Sequence, residues 1–154
     1  MFAKYAILFG FLIPIFFIDL YHRLILDSFT IPLALLGIAF SFVPGTDVSY
    51  VESILTGLAI LIVLLFIVWV FEKLRKKEGM GGGDIKLLAA LGAFMGVLNL
   101  AFILLLSSVL ALGFALTGSK TRQEGIAFGP FLVVAACFVI LLGERFLNWY
   151  LSIF

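Results

Sequence analysis

Residues 79–88 read GMGGGDIKLL, a run of glycines that leads directly into the carboxylate of Asp84. An apolar segment of helical length follows from Leu87 to Leu98, and Lys86 is the only other charge beside it. A charged side chain at the mouth of a membrane segment is costly, so an ionisable residue there is a candidate functional group. Asp84 is the first such candidate.

The composition indicates an integral membrane protein. Of the 154 residues, 64% are hydrophobic and 12% are charged, whereas a soluble domain is roughly half apolar and about 25% charged. The length fits one transmembrane domain over residues 1–154. The net charge of +1 gives no basis for a nucleic-acid partner.

Cysteine and histidine are scarce. Cys137 and His22 are single residues of their kinds, which excludes an intramolecular disulfide and a Cys-rich zinc site. We therefore expect no metal and no cofactor. The first apolar run lacks a preceding basic cluster and a following small-residue cleavage site, so no cleavable signal peptide is expected.

The apolar runs predict an all-α membrane protein, a polytopic bundle of about six transmembrane helices. A span needs about 20 apolar residues. Five runs are candidates, and the longest is too long for one crossing and is predicted to divide near Gly96–Asn99. The runs are Met1–Ile18, Phe29–Val43, Ile54–Phe71, Ile85–Leu116 (the long one) and Ile126–Phe146.

The basic residues predict the orientation. Six spans place three loops on one side: Asp19–Ser28, Glu72–Asp84 and Gly118–Gly125. These loops and Lys86 hold every lysine and arginine except Lys4 and Arg145. By the positive-inside rule the three loops are predicted to be cytoplasmic, which makes the protein a multi-pass membrane protein with both termini on the other side.

This topology places Asp19 and Asp84 at the same membrane face, where they are the candidate catalytic residues. Two neighbouring carboxylates do not easily both ionise, so one keeps a proton while the other acts as a base. Such a pair can activate a water against a peptide carbonyl, with the acid polarising the carbonyl and later protonating the leaving nitrogen.

Simpler interpretations stand beside this one. Asp84 follows glycines and opens a helix, so it is equally a candidate N-cap. Asp19 and Arg23 are four residues apart and suit a local ion pair. Asp27, just before the second apolar run, is predicted to cap that helix.

Gly81, Gly82, Gly83 and Lys86 are candidate substrate-binding residues. Glycines without a Cβ would let an extended substrate backbone approach Asp84, or they only make a flexible loop. Phosphate binding is disfavoured because the adjacent carboxylate would repel phosphate. Lys86 alternatively faces lipid headgroups or tunes the carboxylate pair. Small residues in the following helix, among them Gly92 and Gly96, are predicted to serve close helix packing.

Three segments together resemble the type IV prepilin peptidase family. Residues 79–93 are similar to its GxGD signature, and the similarity continues well past the four-residue core. Residues 19–32 look like the region of its first catalytic aspartate, and residues 126–132 are similar to a segment near its C-terminal end. The three segments occur in family order and span nearly the whole chain.

The resemblance implies a polytopic aspartyl peptidase with Asp19 and Asp84 as the catalytic pair. The implied substrate is a prepilin or pseudopilin with a short basic leader in the cytoplasm, cut after a glycine just before a hydrophobic helix. Membrane lipid is the other implied partner, and the oligomeric state is open.

The chain also departs from the family pattern. Leu26 and Ala127 stand where many members have proline, which affects local geometry rather than a catalytic group. Many bacterial members carry an N-terminal extension with a Cys-rich zinc loop and methylate the new terminus. The sequence has only Cys137, so peptidase activity without methyltransferase activity is expected.

Three other functions remain open at this stage. A presenilin-like GxGD protease would cut other membrane helices, including peptides that lack a leader glycine. A proton-coupled transporter using the carboxylate pair would give flux in liposomes without peptide products. An inactive assembly factor would keep only the fold, although the two intact aspartates argue against it.

Overall fold

A computed structural model of the chain describes residues 2–75, 81–116 and 127–151. Five helices form this part of the chain: α1 (Phe2–His22), α2 (Asp27–Ser41), α3 (Tyr50–Arg75), α4 (Gly82–Leu116) and α5 (Gly129–Leu151). Gly79, Met80 and the predicted loop at 118–125 lie outside the described residues.

Three of these helices are long and apolar enough to cross a membrane, namely α1, α3 and α4. The apolar parts of α2 and α5 are shorter. The prediction of an all-α membrane protein is therefore confirmed, whereas six separate spans are not.

Helix α1 is longer than the predicted apolar run, because it continues four residues past Ile18 to His22. It stops where Arg23 takes a left-handed φ of 51° and donates its N–H to the Asp19 carbonyl at 2.9 Å.

Helix α4 is broken at Gly96, within the predicted dividing region. Gly96 has φ 78° and ψ 173°, a backbone conformation that essentially only glycine adopts. The Leu100 side chain lies 3.1 Å from the Cβ position of Gly92, although residues eight apart in a straight helix are separated by about 12 Å. The ring of Phe114 packs on that of Phe131 at 5.6 Å, which returns the end of α4 to the start of α5. The chain therefore folds back on itself at Gly96.

Glu52 of α3 holds this reversal. Its Oε1 accepts the N–H of Val97 at 3.3 Å, which satisfies one of the unpaired donors at the start of the second helical segment. The same oxygen lies only 2.6 Å from the Cβ position of Gly96. A side chain at position 96 would therefore displace the carboxylate that caps the segment.

The first segment of α4 is the central element of the bundle. Every residue from Leu87 to Gly96 is buried, and α4 contacts α2, α3 and α5. Small residues let α3 approach closely, because a Cβ at Gly57 would lie 3.3 Å from the Ala93 Cβ. The Ser53 hydroxyl donates to the Ala93 carbonyl at 2.6 Å. The predicted packing role is confirmed for Gly92, whose Cβ position is 3.0 Å from the Thr56 side chain, whereas Gly96 breaks the helix instead.

Candidate functional site

Asp19 lies in the last turn of α1, where the helix packs against the start of α5. The residue is only 4% exposed. Its Oδ2 atom is buried and has no hydrogen-bond partner among the described residues. Because a buried polar atom normally has a partner, an unpaired carboxylate oxygen in an apolar interior calls for a functional explanation.

Asp84 is the third residue of α4 and lies in its first turn. Its backbone N–H donates to the Gly81 carbonyl at 3.1 Å, and the helix begins at Gly82. The interpretation of Asp84 as an N-cap residue is therefore wrong. The side chain is partly buried, and the preceding residue, Gly83, packs against Ile25 in the segment that follows Asp19. The structure thus brings together the two segments that carry the predicted aspartates.

Gly129, the first residue of α5, completes the surroundings of Asp19. Its backbone lies against the Asp19 carboxyl group, so closely that a Cβ at position 129 would overlap Oδ2 of Asp19. A helix N-terminus favours negative charge through its free N–H groups and its dipole. The sequence alone gave Gly129 no role; a glycine just before Pro130 at a helix start was the available signal.

Ile25 contacts both glycines that border the site, Gly83 and Gly129. The Cβ position of Gly83 is 2.7 Å from the Ile25 Cβ and 3.1 Å from its carbonyl oxygen. The Ile25 Cδ1 is also 3.0 Å from the Cβ position of Gly129. Gly83 is therefore a place where two backbones approach too closely for a side chain, whereas at Gly129 the space is taken by the side chains of Ile25 and Asp19.

The three predicted glycines differ in their surroundings. Gly83 faces Ile25, so close packing alone accounts for a glycine there. The Cβ position of Gly81 would be 3.4 Å from Asp84 Oδ2, whereas that of Gly82 has no atom of the described residues within 4 Å. The open edge beside Asp84 is therefore at Gly82. A substrate-binding role for these glycines stays a prediction.

Lys86 pairs with Asp27 rather than facing an open groove. Its Nζ donates to both oxygens of the Asp27 carboxylate, at 2.7 and 2.6 Å. Asp27 makes no side-chain cap to α2, whose N-cap residue is Leu26. The prediction that Asp27 caps α2 is therefore wrong.

The geometry defines what the site can do chemically. Two carboxyl groups lie at the same end of the bundle. That of Asp19 is almost fully buried, and that of Asp84 is partly exposed beside the open edge at Gly82. Neighbouring carboxyl groups can share one proton, which gives an acid and a base within reach of the same water or substrate atom. Among the described residues, no group of three or more His, Cys, Asp or Glu side chains is placed to hold a metal ion.

Comparison with known proteins identifies relatives over most of the chain. The model of the type IV leader peptidase family matches residues 6–116. A prepilin leader peptidase/N-methyltransferase of Aeromonas hydrophila is 39% identical over 147 residues, 93% of this chain and 50% of the relative. Those of Legionella pneumophila (34% over 145 residues) and Neisseria gonorrhoeae (35% over 149) cover 92% and 95% of this chain, and 50% and 52% of themselves. The chain spans about half the length of these relatives. No solved structure matches it.

Proposed function

The chain belongs to the type IV leader peptidase family, and on that premise we propose that it is an aspartyl endopeptidase that removes leader peptides from prepilins or pseudopilins. The observation that carries the proposal is the packing of the segment that bears Asp84 against the segment that follows Asp19, through the contact of Gly83 with Ile25. Both aspartates lie within the residues that the family model matches. The names of the relatives, prepilin leader peptidase/N-methyltransferase, support the substrate class.

The proposed reaction is hydrolysis of one peptide bond by a water held at the dyad, the pair Asp19 and Asp84. The ionised carboxylate takes a proton from the water as its oxygen attacks the carbonyl carbon. The protonated carboxyl group donates to the carbonyl oxygen. The tetrahedral intermediate then collapses, the C–N bond breaks and the leaving nitrogen takes up a proton.

The open edge at Gly82 is the proposed approach for the substrate backbone. An extended peptide there would place its scissile carbonyl beside Asp84 without meeting a side chain of the glycine run. The fold-back of α4 supports six membrane crossings, since it turns one long apolar run into two antiparallel segments. With the basic loops on the cytoplasmic side, the dyad would lie at the cytoplasmic face of the inner membrane.

The test is cleavage of a purified prepilin by the purified protein, with mass spectrometry of the products. We expect a cut after the leader glycine, lost in Asp84→Asn. Asp47→Asn is the matched control, because Asp47 lies in the α2–α3 loop, where it accepts a hydrogen bond from Tyr5. Cleavage of membrane-helix peptides that lack a leader glycine would overturn the substrate class. Failure of folded protein to cut any of several prepilins would overturn the peptidase assignment.

A further inference from the structure

We propose that the ion pair between Asp27 and Lys86 positions the dyad, by holding the segment that carries Asp19 against the segment that carries Asp84. This inference rests on the proposed function for its kinetic consequence, but not for its structural one. It also gives Lys86 a role within the protein in place of a contact with substrate.

The ion pair joins the same two segments as the dyad does. Asp27 follows Asp19 by eight residues, and Lys86 follows Asp84 by two. The contact of Ile25 with Gly83 joins the same two segments, because Ile25 lies between Asp19 and Asp27 and Gly83 directly precedes Asp84. Two links therefore hold the segments together beside the dyad: the packing of Ile25 on Gly83, and the ion pair.

The segment between Asp19 and Asp27 makes a tight turn, so we expect an attachment to α4 to help fix its position. Arg23 takes a left-handed backbone conformation with φ 51°, which is uncommon for a residue other than glycine. Helix α2 begins at Asp27 without a side-chain cap. The start of α2 is therefore not fixed by capping, and the two bonds from Lys86 supply an attachment.

The placement of Lys86 is otherwise unfavourable. A positive charge in the first turns of a helix opposes the helix dipole, whereas a negative charge in the first turn is favourable. Lys86 is the fifth residue of α4, just past its first turn, and Asp27 is the first residue of α2. The Asp27 carboxylate compensates the lysine charge. Both carboxylate oxygens are engaged by the single ammonium group, so neither partner is directed at the open edge by Gly82.

The pair is partly exposed, with side-chain exposures of 44% for Lys86 and 54% for Asp27. An exposed pair adds little to global stability. Its effect is therefore expected in the placement of the dyad rather than in the thermal unfolding of the protein. A small displacement of reacting groups is enough to lower a rate by on the order of 100-fold.

The kinetic test is a charge swap. Asp27→Lys and Lys86→Asp are each expected to lower kcat on a prepilin by on the order of 10- to 100-fold, with KM nearly unchanged. The double variant is expected to recover most of the loss. Lys73→Glu is the control, because the Lys73 ammonium lies over the ring of Trp69 on its own helix, 4.8 Å from the ring centroid. Wild-type kcat in both single variants, or no recovery in a folded double variant, would overturn the proposal. A raised KM at unchanged kcat for Lys86→Asp alone would instead make Lys86 a substrate contact.

A second measurement reads the separation of the two segments without any substrate. Leu24 and Gly82 are exposed neighbours of the contacting residues Ile25 and Gly83. With cysteines at these two positions and Cys137→Ala as background, a short thiol-reactive cross-linker should join them readily. We expect the yield to fall several-fold with Asp27→Lys and to return with the swap. An unchanged yield would overturn the positioning role, even if the wild-type protein cuts no prepilin.

Discussion

The backbone of Gly129 lies against the carboxyl group of Asp19, so closely that a Cβ at position 129 would overlap Oδ2. This contact ties the start of α5 to the end of α1. The close contact leaves no room at position 129 for any side chain larger than the hydrogen of glycine. Three helices therefore form the site: α1 and α4 carry the two carboxyl groups, and the start of α5 packs against one of them.

Gly129→Ala is expected to lower kcat by on the order of 100-fold, because the added methyl group must push Asp19 away from its position beside Asp84. Initial rates of prepilin cleavage measure this. Gly10→Ala is the matched control, since nothing lies within 4 Å of the Cβ position of Gly10. An active Gly129→Ala variant would contradict the placement of α5 against the dyad.

Gly83→Ala and Gly82→Ala are expected to differ in stability. The first places a methyl group 2.7 Å from the Ile25 Cβ, whereas the second places one in open space. Overpacking of this kind costs about 1–3 kcal/mol, so Gly83→Ala should lower the midpoint of thermal unfolding and Gly82→Ala should not. A substrate strand at the open edge predicts a raised KM for Gly82→Ala. Equal unfolding midpoints for the two variants would contradict the Ile25 contact.

Gly96→Ala is expected to destabilise the fold by about 1–3 kcal/mol, because its backbone conformation is strained for any other residue. The added Cβ would also displace the Glu52 carboxylate from the Val97 N–H. Thermal unfolding in detergent measures the change, with Gly113→Ala as the control in open space. A Gly96→Ala variant as stable as the control would indicate that α4 does not reverse there.

The sequence alone indicates candidate site residues where a charged residue stands in an apolar run. Asp19 and Asp84 were found because carboxylates are conspicuous in apolar runs, and the topology argument put them at one face. The division of the long run near Gly96 followed from length alone, and the conformation of Gly96 gives the physical reason for the break.

Features that depend on contacts between distant residues were missed. Asp27 was interpreted as a cap because it precedes a helix, but its partner Lys86 is 59 residues away. Gly129 carries no chemistry of its own, and its role arises only from the approach of α5 to α1. The end of α1 was placed at Ile18 because polar residues follow, whereas Asp19 is buried against α5 and the helix continues to His22.

The measurement that tests the central claim most directly compares Asp19→Asn, Asp84→Asn and the double variant in prepilin cleavage. Residues that act as one unit are strongly non-additive, so each single variant should lose at least about 10³-fold in kcat and the double variant should be no worse. Thermal unfolding should show all three to be folded. A folded single variant that keeps near-normal turnover would contradict the dyad.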